Sequence, residues 1–177
     1  MFGWRQLTGG EGFRFLFWMR TCSYVRPHPV LRLLFYPIAK IMWKHYTYKF
    51  GISIPYSAHI GPGFYIGHFG GIVVSHRARL GRDVNISQGV TVGLTNRGRR
   101  KGAPVIGDRV YLGPGVKVVG AITIGSDVAI GANCVVTDDV PDGSVVVGVP
   151  GRVISEDGSE AYVDHIDYER VLGPWPA

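Results

Sequence analysis

The sequence predicts a mainly β protein, a parallel β-helix of hexapeptide repeats preceded by an α-helical segment. Two observations carry this. From residue 52 to residue 136 apolar side chains recur every six residues at two fixed phases, one reading Ile54, Ile60, Ile66, Val74, Leu80, Ile86 and Val92, the other Ile52, Ala58, Phe64, Ile72, Ala78, Val84 and Val90. Members of a pair stand two residues apart, on one face of a short strand, and a small residue usually follows, as in Leu80-Gly81 and Ile124-Gly125. Strands too short to bury anything alone, restarted at this period, wind into a solenoid. The second observation is the helical spacing of Leu31, Leu34, Phe35, Ile38 and Met42 ahead of the repeats.

The chain has 177 residues, enough for one domain with attachments. Residues 1–50 are the first attachment. They hold eight Lys or Arg against Glu11 alone, whereas the remainder carries eleven basic and twelve acidic residues, so the whole net charge of +6 originates here. Thirteen of the 21 aromatic residues fall in the same stretch, which excludes a disordered tail. Helices are expected over 11–50, with Pro27 and Pro29 marking a break and Pro37 a kink or restart. Two roles are open. The Leu31–Met42 face packs on the solenoid's open end or on another subunit, or the segment rests on an anionic membrane surface with Trp4, Trp18 and Trp43 at the interface. The stretch Val30–Met42 is too short to span a bilayer and contains Arg32, Pro37 and Lys40.

Residues 51–154 are the solenoid. Grouping every third hexad assigns three faces: Ile66, Ile86, Leu112 and Ile130 on one; Ile54, Val74, Val92, Val118 and Val136 on the second; Ile60, Leu80, Ile106 and Ile124 on the third. The register breaks twice. Ile66 to Val74 is eight residues where six are expected, and Val92 to Ile106 is fourteen. A stacked core cannot absorb insertions, so Gly67–Gly71 and a loop around Leu94–Gly102 are displaced outward. The first carries His68, the second Arg97, Arg99, Arg100 and Lys101.

Residues 155–177 carry six acids and one Arg and read as a mobile acidic tail, ending in Gly173-Pro174-Trp175-Pro176. Cys22 and Cys134 form no disulfide framework, and Cys134 falls on an inward phase, as a buried thiol of a reducing compartment does. The apolar run Phe13–Met19 is cut by Arg14 and lacks a cleavage site, so no secretory signal is expected. The chain reads as cytoplasmic, with the inner membrane face as the alternative location and no nucleic-acid partner.

These hexads, closed by Gly148-Val149-Pro150-Gly151-Arg152-Val153-Ile154, resemble the hexapeptide-repeat acyltransferases. That resemblance implies a left-handed parallel β-helix, an exception to the usual right-handed crossover. The runs Gly67-His68-Phe69-Gly70-Gly71 and Ser87-Gln88-Gly89-Val90-Thr91-Val92-Gly93 resemble the serine acetyltransferase branch and related O-acetyltransferases of capsule and exopolysaccharide synthesis. The family implies acetyl-CoA as donor, a homotrimer or a multiple of it, and a coenzyme groove between neighbouring chains. By the same resemblance Gly93, Gly113, Gly131, Ala132 and Arg152 line that groove, with Lys117 and Arg152 available to neutralise phosphates. The basic loop cluster is either a solvated loop or a contact for coenzyme phosphates or an anionic glycan.

His68 is the expected catalytic base, because acyl transfer to a hydroxyl needs a base of near-neutral pKa and the glycines around it let a ligand approach. One turn on, Gln88 either orients the imidazole or the acceptor, or is a surface amide. His59 and His76 fall on different edges from His68, so no metal is expected. Three positions depart from the serine acetyltransferases: Ser53 and Gly67 replace acids, and Ala103 replaces a second His. Ser53, Gln88 and His68 together suit neutral hydrogen bonds to a sugar. The reading favoured by these absences is O-acetylation of a sugar hydroxyl in a capsule or exopolysaccharide or its precursor, with serine a poor acceptor. The alternatives are a serine O-acetyltransferase and a non-catalytic β-helix that binds glycan or scaffolds a synthesis complex.

Overall fold

The computed structural model describes residues 10–163. Three sheets of very short parallel strands form the sides of a β-helix, and their registers match the assigned faces. On the first side Ile66, Ile86, Leu112 and Ile130 stack in turn, continued by Val146. On the second, Val74 stacks on Val92, then Val118 and Val136. On the third, Ile60, Leu80, Ile106 and Ile124 do the same. Every one of these side chains is buried. Each buried Val, Leu or Ile contributes about 1.5–3 kcal/mol, and the ladder repeats it coil after coil.

A solenoid leaves an open sheet edge at each end, and both are covered. At the N-terminal end lie α1 (Glu11–Val25), α2 (Pro29–Leu34) and α3 (Tyr36–Phe50). Pro29 opens α2 and Pro37 lies in the first turn of α3, so the expected break and restart are both present. Phe15, Met19 and Phe50 extend the core beneath the helices. The Arg20 guanidinium donates to the carbonyls of Ile60 (2.7 Å) and Gly61 (2.6 Å), and the Trp43 indole to that of Ile54 (3.3 Å), satisfying first-coil acceptors. At the other end Val145–Val147 pairs with the antiparallel strand Arg152–Ser155.

The helices pack on the open end, but not through the expected face. Leu34, Phe35 and Ile38 are exposed, while Ala39 and Phe50 are buried and Trp43 and Tyr46 pack on the core. Those four recur at the other helical phase of α3, and the aromatic rings fill the solenoid mouth better than the aliphatic stripe does. Trp43 therefore faces inward, edge-on to Tyr56, and is no interfacial anchor. Trp4 and Gly173–Pro176 lie outside the described residues.

Residues 156–163, expected as the start of a mobile tail, pack against the solenoid. Ser159 is buried and donates its hydroxyl to the Arg109 carbonyl, and Tyr162 stacks on Tyr111 at 5.5 Å. Cys134 is fully buried, and burial raises its thiol pKa.

Candidate active site

Both insertions leave the solenoid as outward loops. The shorter, 67–71, follows the strand Tyr65–Ile66 and reaches Ile72–Val74 on the next side through Gly70 (φ +108°) and Gly71 (φ +65°). A Cβ is strained at both angles, so glycine is what lets the backbone turn here. Gly71 also sits directly over Gly89 of the next coil, where an added Cβ would lie 3.5 Å from the Gly89 Cα. His68 is exposed at the apex, and its imidazole has no hydrogen-bond partner within the described chain.

The register places most of the expected site residues along one edge. Gly67, Ser87, Gly113, Gly131 and Val147 stack at one position of successive coils, and Arg152 pairs with Val147. His68, Gln88 and Ala132 follow that row by one residue. From the His68 level to Arg152 is five strand spacings, on the order of 24 Å. Lys117 joins the edge from the second side: its ammonium donates to the Gly89 carbonyl, one residue beyond Gln88. Gln88 is exposed on the next coil, and no hydrogen bond links it to His68.

Two expected residues lie elsewhere. Ser53 is exposed on the outer surface of the second side, aligned with Val73 and then Thr91 and Lys117. Gly93 stands at the far margin of that side, opposite Val119. The second side is thus framed by the His68 edge on one flank and Gly93 with the longer loop on the other.

The glycines of the edge serve packing first. An added Cβ on Gly113 would come within 2.9 Å of the Ile130 carbonyl oxygen, and on Gly131 within 2.9 Å of a Val147 methyl. Their N–H groups donate to Ile130 (2.9 Å) and Val146 (2.8 Å), and their carbonyls accept from Val116 and Cys134 (both 3.3 Å). Gly113 is itself buried. A ligand on this edge finds at most the second lone pair of such a carbonyl, while Ala132 and Arg152 are exposed.

The longer loop closes through paired hydrogen bonds between Thr95 and Gly102 (2.9 and 3.0 Å). Its basic cluster is divided. Arg100 bridges to Asp138 (3.2 Å) and Asp139 (3.0 Å), while Arg97, Arg99 and Lys101 are exposed. Sequence reasoning missed this clamp, the reach of Lys117 to Gly89, and a ring contact between Phe50 and Phe69. Each joins residues far apart in the chain, and only the aromatic neighbour of His68 left a trace in the sequence.

Residues 103–138 match the bacterial transferase hexapeptide (six repeats) family. The serine acetyltransferase of Helicobacter pylori strain J99 is 41% identical over 134 residues, covering 76% of this chain and 78% of its relative. The chain belongs to the serine acetyltransferase family of hexapeptide-repeat transferases. Among solved structures, Neisseria gonorrhoeae serine acetyltransferase in complex with serine is 31% identical at a TM-score of 0.70, over 85% of this chain and 59% of that one. The Brucella abortus serine acetyltransferase in complex with coenzyme A is 30% identical at 0.70, over 84% of this chain and 57% of that one. The chain therefore spans under two thirds of those two longer proteins. Family membership bears out the left-handed β-helix and the acyltransferase expectation.

It overturns the polysaccharide reading. The capsule and exopolysaccharide assignment rested on Gly67–Gly71 and on three absent side chains, whereas the likeness to serine acetyltransferases runs through about three quarters of the chain. Ser53, Gly67 and Ala103 are single changes at half-exposed or exposed positions, which the stacked scaffold accepts without altering its course.

Proposed function

We propose that this chain transfers the acetyl group of acetyl-CoA to the hydroxyl of serine, with His68 as general base. The observation that carries the reading is an exposed His68, without a hydrogen-bond partner among the described residues, on the outward insertion of a serine acetyltransferase-family β-helix. Acetyl-CoA supplies an activated thioester carbonyl at the end of a long polyanionic arm. The edge suits that shape, with an imidazole at one end and the exposed Arg152 at the other. His68 takes the proton of the serine hydroxyl as its oxygen bonds to the acyl carbon, and returns it to the sulfur as the C–S bond breaks. Ala132 keeps the edge low, Lys117 and Arg152 supply positive charge, and Gln88 stands one coil from the imidazole as an acceptor-binding amide.

In this reading the protein works as a homotrimer or a multiple of it, with a second chain completing the donor groove. Thiol release from acetyl-CoA, followed with L-serine, threonine and simple sugars as acceptors, tests the function. Serine should give the highest kcat/KM and O-acetylserine as product by mass spectrometry; a product on another acceptor with higher kcat/KM overturns the proposal. Light scattering should give a mass that is a multiple of three chains.

A further inference from the structure

The outer surface of the helical cap is apolar and cationic at once. Val30, Leu33, Leu34, Phe35, Ile38 and Ile41 are each 53–79% exposed, and α2 buries no residue. Single exposed apolar residues are ordinary, but a contiguous run along two successive helices marks a surface that is covered in use. On α3, Ile38, Ile41 and Tyr48 share one stripe at helical spacing, flanked by exposed Lys44 on one side and Lys49 on the other. The stripe lies opposite Ala39, Trp43, Tyr46 and Phe50, which hold the helix to the solenoid, so covering it requires no unfolding of the cap. Residues 12–82 contain ten Lys or Arg and no Asp or Glu.

We propose that this face docks on the surface of an anionic phospholipid bilayer. The apolar side chains enter the boundary between headgroups and acyl chains, and the lysines and arginines around them meet lipid phosphates. Charge decides against a second copy of the chain as the occupant: a two-fold contact would set this acid-free surface against itself, cation facing cation. Among the described residues no helix is long and apolar enough to cross a membrane, so the cap lies on the bilayer.

Sedimentation of the full-length protein with phosphatidylcholine vesicles, with and without phosphatidylglycerol, tests this at low and high salt. The wild type should bind the phosphatidylglycerol vesicles and release as salt rises, because the attraction is screened. Leu33→Asp/Ile41→Asp removes the apolar insertion, and Lys40→Glu/Lys44→Glu reverses charge at two positions. Each pair should weaken binding roughly tenfold or more. All four positions are exposed, and an unchanged circular dichroism melt confirms that the cap stays folded. Absence of wild-type binding at low salt, or binding that both double variants retain, overturns the proposal. So does a doubled mass in sedimentation velocity that Leu33→Asp/Ile41→Asp abolishes without any vesicle binding, which assigns the face to a second copy.

Discussion

The rings of Phe50 and Phe69 meet with centroids 5.5 Å apart, tilted by 52°. Phe50 is the buried last residue of α3, and Phe69 follows His68 on the insertion. Tyr46 also stacks on Phe50, at 5.1 Å, so an aromatic chain links the insertion to the cap. Backbone hydrogen bonds hold both ends of the insertion to the next coil, Gly67 N–H to the Ile86 carbonyl and Gly89 N–H to the Gly70 carbonyl, and the ring contact adds a side-chain restraint beside His68.

Phe69→Ala should therefore loosen the insertion more than it destabilises the fold. An aromatic pair of this kind contributes about 0.5–1.5 kcal/mol, and Phe69 is half exposed. We expect kcat/KM for acetyl transfer to fall roughly tenfold, with unfolding free energy lowered by no more than about 1.5 kcal/mol. Phe69→Tyr should restore most of the rate. A rate unchanged in Phe69→Ala would mean that the contact does not position His68.

Gly113→Ala separates packing from ligand binding on the same edge. Its Cβ would press on backbone atoms of Ile130 and Ala132, which cannot rotate away. Overpacking of this kind costs about 1–3 kcal/mol, read as a lower urea midpoint. A variant as stable as wild type but impaired in coenzyme A binding would return Gly113 to the cofactor site.

Much of the fold was legible because the hexad period acts directly on burial. The two inward phases supply the whole ladder of side chains, and the registers of Ile66 with Ile86 and of Leu80 with Ile106 follow from counting hexads. The cap was legible as helices but not in its orientation, since Leu34-Phe35-Ile38 and Ala39-Trp43-Tyr46-Phe50 both have helical spacing and only the shape of the solenoid mouth chooses between them. At the site, His68 stood out through its insertion. The Lys117–Gly89 and Arg100–Asp139 contacts did not, because they depend on rotamers across coils. The acceptor was misread for a related reason: a missing acid at Ser53 or Gly67 says which group is absent, and nothing about what replaces it.

Cys22 sets a pH dependence of stability. Burial, which outweighs the opposing Lys40 ammonium, raises its thiol from 9.0 to about 11. Below pH 9 the thiol is protonated in both folded and unfolded chains and stability is unaffected; as pH rises from 9 towards 11 only the unfolded chain loses the proton, so stability falls. Chemical unfolding at stepped pH should show this decline, and Cys22→Ala should flatten it. Native Cys22 should also resist iodoacetamide at pH 8, and rapid alkylation there would contradict its burial.

His68, as the base that activates serine, is the residue on which the proposed acetyl transfer turns. The most direct measurement is the steady-state rate of serine-dependent thiol release from acetyl-CoA by wild type and His68→Ala, with coenzyme A affinity and thermal stability measured on both. The substitution lies on an outward loop and should leave stability and affinity unchanged while kcat falls roughly 10²- to 10⁴-fold. Serine-dependent turnover in His68→Ala within a few-fold of wild type would contradict the account.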